Sequence, residues 1–124
     1  MAYDRELNAR IGRIVRRWAG VESRPMFGGV CHLLRGSMFA GIWKDFLVLR
    51  LGEKGAAFAR ELPHVRAFDI TGPPMKGWVM VAPAGCRTED ALRKWLGQAR
   101  DFARTLPARP SKAGASLKSG RRTL

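Results

Sequence analysis

Cys31 and His32 stand side by side in GVCHLL, and a thiol next to an imidazole is raw material for a metal site or for a nucleophile with its base. Nothing around them completes either chemistry. Adjacent side chains on a strand point to opposite faces, so this pair does not chelate one ion, and His64 is the only other histidine. No G-x-S-x-G, H-E-x-x-H or recognisable carboxylate pair occurs; Asp45 and Asp69 read as a turn residue and a strand-end residue. The expectation is a protein that is not an enzyme and takes no cofactor and no metal. Cys31 and Cys86, outside any C-x-x-C or regular framework, read as free thiols of a reducing compartment.

Basic side chains carry the stronger signal. The formal net charge is +13; residues 107–124 hold Arg109, Lys112, Lys118, Arg121 and Arg122 with no acid, which puts +5 there and +8 on the first 106 residues. At about 100° per residue, Arg10, Arg13 and Arg17 fall on one flank of a first helix. Arg93, Arg100 and Arg104 fall together on a last helix, near Gly97, whose missing side chain leaves room for close approach. Each stripe alone is an ordinary solvated helix face. Two stripes and a basic tail in one small domain favour a polyanion surface, with Arg93, Arg100, Arg104, Arg109, Lys112, Lys118, Arg121 and Arg122 as the candidate nucleic-acid contacts.

Arg50 is a third feature. In FLVLRLG it interrupts an apolar strand on the face of Phe46 and Val48, so its guanidinium needs a partner or a solvent-facing side. An ion pair or a snorkelling edge position supplies one. The alternative is a cleft in which Met26, Arg50, Met75 and Trp78 receive an anionic or aromatic group, although methionines are more often core filler.

A chain of 124 residues, 46% of them apolar, must position these groups, and that is one domain with a modest core. Leu7, Ile11, Ile14, Val15 and Trp18 recur at helical spacing between Asp4 and Ala19, with Gly20 as a stop. Apolar runs at Val21 to Phe27, Gly29 to Arg35, Met38 to Trp43 and Phe46 to Leu51 are joined by hairpin-length breaks, a meander of antiparallel strands. Glu53 to Leu62 reads as a short helix ended by Pro63, and VRAFDITG and GWVMVAP as two further strands. Thr88 caps a last helix whose Leu92, Trp95, Leu96, Ala99, Phe102, Ala103 and Leu106 make one apolar stripe. The result is an α+β domain over residues 1–106, of order α-β-β-β-β-α-β-β-α, followed by a disordered basic tail over 107–124.

The glycines have sheet-building reasons. Gly28-Gly29 lies at a strand junction, Gly36 in a turn and Gly41 inside a strand, whereas a phosphate loop runs from a strand into a helix N-terminus. GEKG at Gly52 to Gly55 makes such a turn, but Glu53 sets a negative charge where the anion would dock. The motifs MFGG at Met26 to Gly29, MFAGIWKDFLVLR at Met38 to Arg50, PMKGWVMV at Pro74 to Val81 and FARTLP at Phe102 to Pro107 resemble the TfoX N-terminal domain family, in order, over residues 1 to about 106. The resemblance implies an antiparallel sheet with helices. It also implies a part in transcription regulation of competence, through contact with a transcription-machinery protein. This chain departs from the competence regulators in having a basic tail where their second helical domain stands.

No stretch reaches the roughly 18 apolar residues of a membrane-spanning helix, and the acids in MAYDRELNAR do not fit a secretory signal. The location expected is cytoplasmic, with no membrane partner. The function expected is a regulatory or accessory one, with weak, sequence-indifferent DNA binding through phosphates, because no zinc finger, basic zipper or helix-turn-helix pair is present. The alternative is a protein-interaction module, a homodimer or partner contact through the sheet face that the helices leave uncovered.

Overall fold

The computed structural model describes residues 3–26, 29–70 and 72–107, with the side chain of Met26 outside the described set. The elements are α1 (Arg5–Val15), β1 (Val21–Met26), β2 (Gly29–Leu34), β3 (Ser37–Trp43), β4 (Phe46–Arg50), α2 (Gly52–Ala59), β5 (Val65–Ala67), β6 (Trp78–Val81), a 3-10 turn (Pro83–Cys86) and α3 (Glu89–Ala103). This is the order expected from the sequence, in an α+β fold. The tail beyond Pro107, with Arg109 to Arg122, and the Phe27-Gly28 step lie outside the described residues.

α1 begins where Asp4 accepts the Leu7 N–H at 3.0 Å, and it buries Leu7, Ile11, Ile14 and Val15. It stops at Val15, four residues before Ala19, because Trp18 turns its N–H back to the Val15 carbonyl at 2.9 Å. Six antiparallel strands lie in the order β1-β2-β3-β4-β6-β5. β1 to β4 form the expected meander, and β6 returns to pair with β4, leaving β5 at the edge.

Strand alternation sorts the side chains into two layers. Ile42, Leu47, Leu49, Val79 and Val81 face α1 and α3, where Leu92, Trp95, Leu96 and Ala99 complete the main core. A bulge adds to it. Register slips between His32, opposite Ala40, and Leu33, opposite Met38, so Phe39 is extra and both Phe39 and Ala40 turn into the core, fully buried. Truncating Phe39 to alanine is expected to cost about 3–5 kcal/mol.

The second face is smaller. Val48, Met80 and Phe68 are buried there among half-buried Met38, Trp43, Phe46, Ile70 and Trp78. β5 spans only three residues because Phe68 leaves the strand to pack over this face. The face left bare of helices is therefore partly covered by the chain's own β5–β6 connection.

Gly52 and Gly77 explain two of the sequence motifs. Both have positive φ, +82° and +85°, and the Gly77 carbonyl takes the N–H groups of Leu51 and Gly52 at 2.8 and 3.1 Å. A Cβ on Gly77 would stand 3.3 Å from the Gly52 carbonyl carbon, and one on Gly52 would meet the Phe102 ring at 2.6 Å. The strand-to-helix turn at GEKG is thus filled by Gly77 and Phe102.

Candidate nucleic-acid interface

α3 presents the basic stripe. Thr88 Oγ1 accepts the Ala91 N–H at 3.1 Å, and Glu89 and Asp90 in the first turn suit the helix dipole. From this start Arg93, Arg100 and Arg104 follow at intervals of seven and four residues, which keeps them on one flank, as expected. Their surroundings differ. Arg93, 60% exposed, reaches Glu89 at 3.5 Å, one helical turn back. Arg104 stands 4.0 Å from Asp101, and both are exposed. Such pairs add little stability and yield readily to a stronger anion.

Arg100 is different. Its guanidinium carbon lies 4.1 Å from the centre of the Trp18 ring, and its Nε is buried with no hydrogen-bond partner among the described residues. Trp18 is itself tilted against Phe39 at 6.2 Å, so the arginine rests on a ring anchored in the core. A cation–π contact of this kind contributes about 0.5–2 kcal/mol. It holds the guanidinium in place without using its hydrogen-bonding edge.

Beside Arg100 lies an open depression of about 420 Å³ lined by Ala19, Gly20, Leu34, Arg35, Arg100 and Arg104. Arg35 is the residue that the sequence reading missed. It comes from the β2–β3 hairpin, where Leu34 pairs with Ser37 and the two turn residues, Arg35 and Gly36, both have positive φ, +49° and +88°. That is the backbone of a type I′ turn, which favours asparagine, aspartate or glycine. The RGS string signals the turn; only the packing of the hairpin against α3 brings Arg35 to Arg104.

The α1 stripe is divided. Arg10 donates to the carbonyls of Cys86 and Arg87, both at 3.0 Å, and ties α1 to the 3-10 turn. Arg13, Arg16 and Arg17 remain exposed around the end of α1, next to Trp18. Arg35, Arg100 and Arg104 thus form a basic pole between the β2–β3 turn and the last turns of α3, with Arg16 and Arg17 preceding Trp18 in sequence, while the other described cations are spread over the rest of the surface.

Of the candidate cleft, Arg50 and Trp78 come together, and Met75 is joined to Trp78 through its carbonyl, which accepts the Trp78 N–H at 3.3 Å. The Arg50 guanidinium lies 5.7 Å from each of the Trp78 and Phe102 ring centres, so aromatic faces serve as its partners, and Met75 is 39% exposed. Met26 is not brought to them. It sits on edge strand β1, with β2 and β3 between it and β4, and the register places it at the end of the sheet opposite Arg50. Cys31 and His32 point to opposite faces, pairing through Gly41 and Ala40 respectively. Among the described residues no three His, Cys, Asp or Glu side chains gather as a metal site would require. Cys31 and Cys86 are free and buried, and burial pushes both thiols above their ordinary pKa. No helix among the described residues is long and apolar enough to cross a membrane.

A single antiparallel sheet with helices on one face and a basic pole at one end defines the class: a small α+β domain. The family model of the TfoX N-terminal domain matches residues 13–103, most of the chain, and the protein belongs to that family. Searches of curated proteins and of solved structures returned no match.

Proposed function

We propose that this protein is a non-enzymatic regulatory or accessory protein that engages nucleic acid weakly, through phosphate contacts at its basic pole. One observation carries the reading: Arg100 and Arg104 meet Arg35 around one depression, with Arg100 fixed on Trp18. A net charge of +13 supplies long-range attraction for a polyanion, and the basic residues from Arg109 to Arg122 follow α3 in sequence from this same pole. Membership of the TfoX N-terminal domain family supports a role beside transcription, the competence regulators being its resembled members. The two unpaired thiols and the lack of any disulfide between them support a cytoplasmic location.

A second reading rests on the outer face of the sheet. Lys44, Arg66 and Arg50 stand over Trp43, Phe46 and Trp78, and Met75 is exposed at its margin, which supports a homodimer or a protein partner there. Binding of the full chain to two unrelated duplexes at several salt concentrations separates the two. Phosphate contact predicts equal affinity for both duplexes and steep loss with salt. Absence of binding at low salt, with self-association that holds at high salt, would leave the interaction module.

A further inference from the structure

We infer that the depression between the β2–β3 turn and the last turns of α3 is a seat for a single phosphate group, gripped by Arg35, Arg100 and Arg104. The inference rests on the phosphate-contact reading above and narrows it from a surface to one point.

Three of the six lining residues are arginines, none is acidic, and they come from two separate elements. The volume of about 420 Å³ exceeds by far the ~30 Å³ share of one water, so a tetrahedral oxyanion fits with water to spare. Shape selects the ligand further. A planar carboxylate offers two oxygens in one plane, whereas guanidinium forks arriving from a turn and a helix match a group with oxygens in several directions.

Two features mark the seat as built. Arg100 is held on Trp18 at 4.1 Å, which lowers the entropy lost when it grips a ligand. Arg35 holds a φ of +49°, a conformation in which an arginine is strained and a glycine or asparagine is not. Lys44 in the β3–β4 turn holds a positive φ of +58° too, so what sets Arg35 apart is its place beside Arg100 and Arg104 in the lining of the depression.

Opposing charge is present beside the seat. Asp101 lies 4.0 Å from Arg104, and the C-terminal end of α3 adds a partial charge of about −0.5. Three guanidinium groups outweigh the two together by about 1.5 charges. Asp101 is 74% exposed and free to swing into water when Arg104 turns to an anion.

The test is amide-resolved NMR titration of the full 124-residue chain with three probes: inorganic phosphate, a short single-stranded oligonucleotide with a 5′-hydroxyl, and the same oligonucleotide with a 5′-phosphate. Inorganic phosphate is expected to give saturable shifts centred on the amides of Gly20, Arg35 and Arg104. Arg35→Gly and Arg104→Gln are each expected to weaken it about tenfold. Glycine accepts the turn's φ, so Arg35→Gly keeps the fold, seen as unchanged shifts elsewhere. Shifts spread evenly over Lys54, Lys76 and other surface cations, and indifferent to Arg35→Gly, would overturn the seat. If the hydroxyl-ended oligonucleotide moves the same amides, internal phosphodiesters are the source. If only inorganic phosphate and the phosphorylated end do so, the seat stands for phosphomonoesters and the nucleic-acid reading fails. Oligonucleotide binding that leaves these three amides still would overturn the seat and leave that reading intact.

Discussion

Ser23 Oγ lies 2.6 Å from Nδ1 of His32, across the β1–β2 pair. This bond joins a residue of an edge strand to a histidine only 2% exposed, whose Nε2 has no partner among the described residues. Burial pushes the imidazole down to a pKa of about 4, so the ring is neutral near pH 7. A neutral ring donates from one nitrogen alone. With the proton on Nδ1, it donates to Ser23 and leaves a bare Nε2, not an N–H, without a partner.

Stability is therefore expected to depend on pH through His32. The unfolded chain takes up a proton near pH 6.5, while the folded chain refuses it until about pH 4. Stability present above pH 6.5 is lost as the pH falls through that window, up to about 3 kcal/mol in all and about 2 kcal/mol by pH 5. Urea midpoints of wild type and His32→Gln at pH 7 and pH 5 measure it. Equal pH slopes for the two proteins would rule out His32 as the source.

Two glycines are expected to respond in opposite directions to alanine. A Cβ on Gly41 would stand 2.8 Å from the backbone oxygen of Val30, so Gly41→Ala should lose about 1–3 kcal/mol. Gly97, inside α3, has nothing within 4 Å of the same position, so Gly97→Ala should gain about 0.5–1 kcal/mol. Denaturation midpoints decide between them. A Gly97→Ala variant that is no more stable would contradict the open space beside α3.

Thiol chemistry should report burial. Native protein is expected to react slowly with a thiol reagent, because Cys31 and Cys86 are 0% and 1% exposed and both resist ionisation. Denatured, unreduced protein should consume two equivalents. Finding none would mean that the two cysteines are oxidised.

The order of elements was readable because the β2–β3 and β3–β4 hairpins announce themselves by short polar breaks, and α1 and α3 by apolar stripes with caps, Asp4 and Thr88. Element ends were less so. α1 frays early because Arg16 to Trp18 roll into a turn that brings Trp18 to Phe39 and Arg100, a tertiary gain that helical periodicity does not contain. The α3 arginines followed from helical spacing alone. Arg35 did not, because its value as a site residue depends on which helix the β2–β3 turn packs against. Nothing in the sequence keeps Met26 out of a cleft with Arg50; strand register does.

The salt dependence of binding is the test of function. If the residues from Pro107 to Leu124 are the main polyanion contact, their removal should leave the melting temperature nearly unchanged, because their Pro, Ser, Gly, Ala and Lys composition offers little apolar surface to bury. Affinity should fall. Each phosphate contact contributes about −0.9 to the slope of log affinity against log salt, so losing at most the tail's five cations should flatten that slope by no more than about 4.5. Replacing Arg93, Arg100 and Arg104 by glutamine in the shortened protein should remove up to about 2.7 more, with Arg93 contributing least if Glu89 retains it at 3.5 Å. Loss should be alike for unrelated duplexes, since phosphates carry no base information. A shortened protein that keeps the full slope, yet loses it on triple substitution, would move the whole contact from the tail to α3.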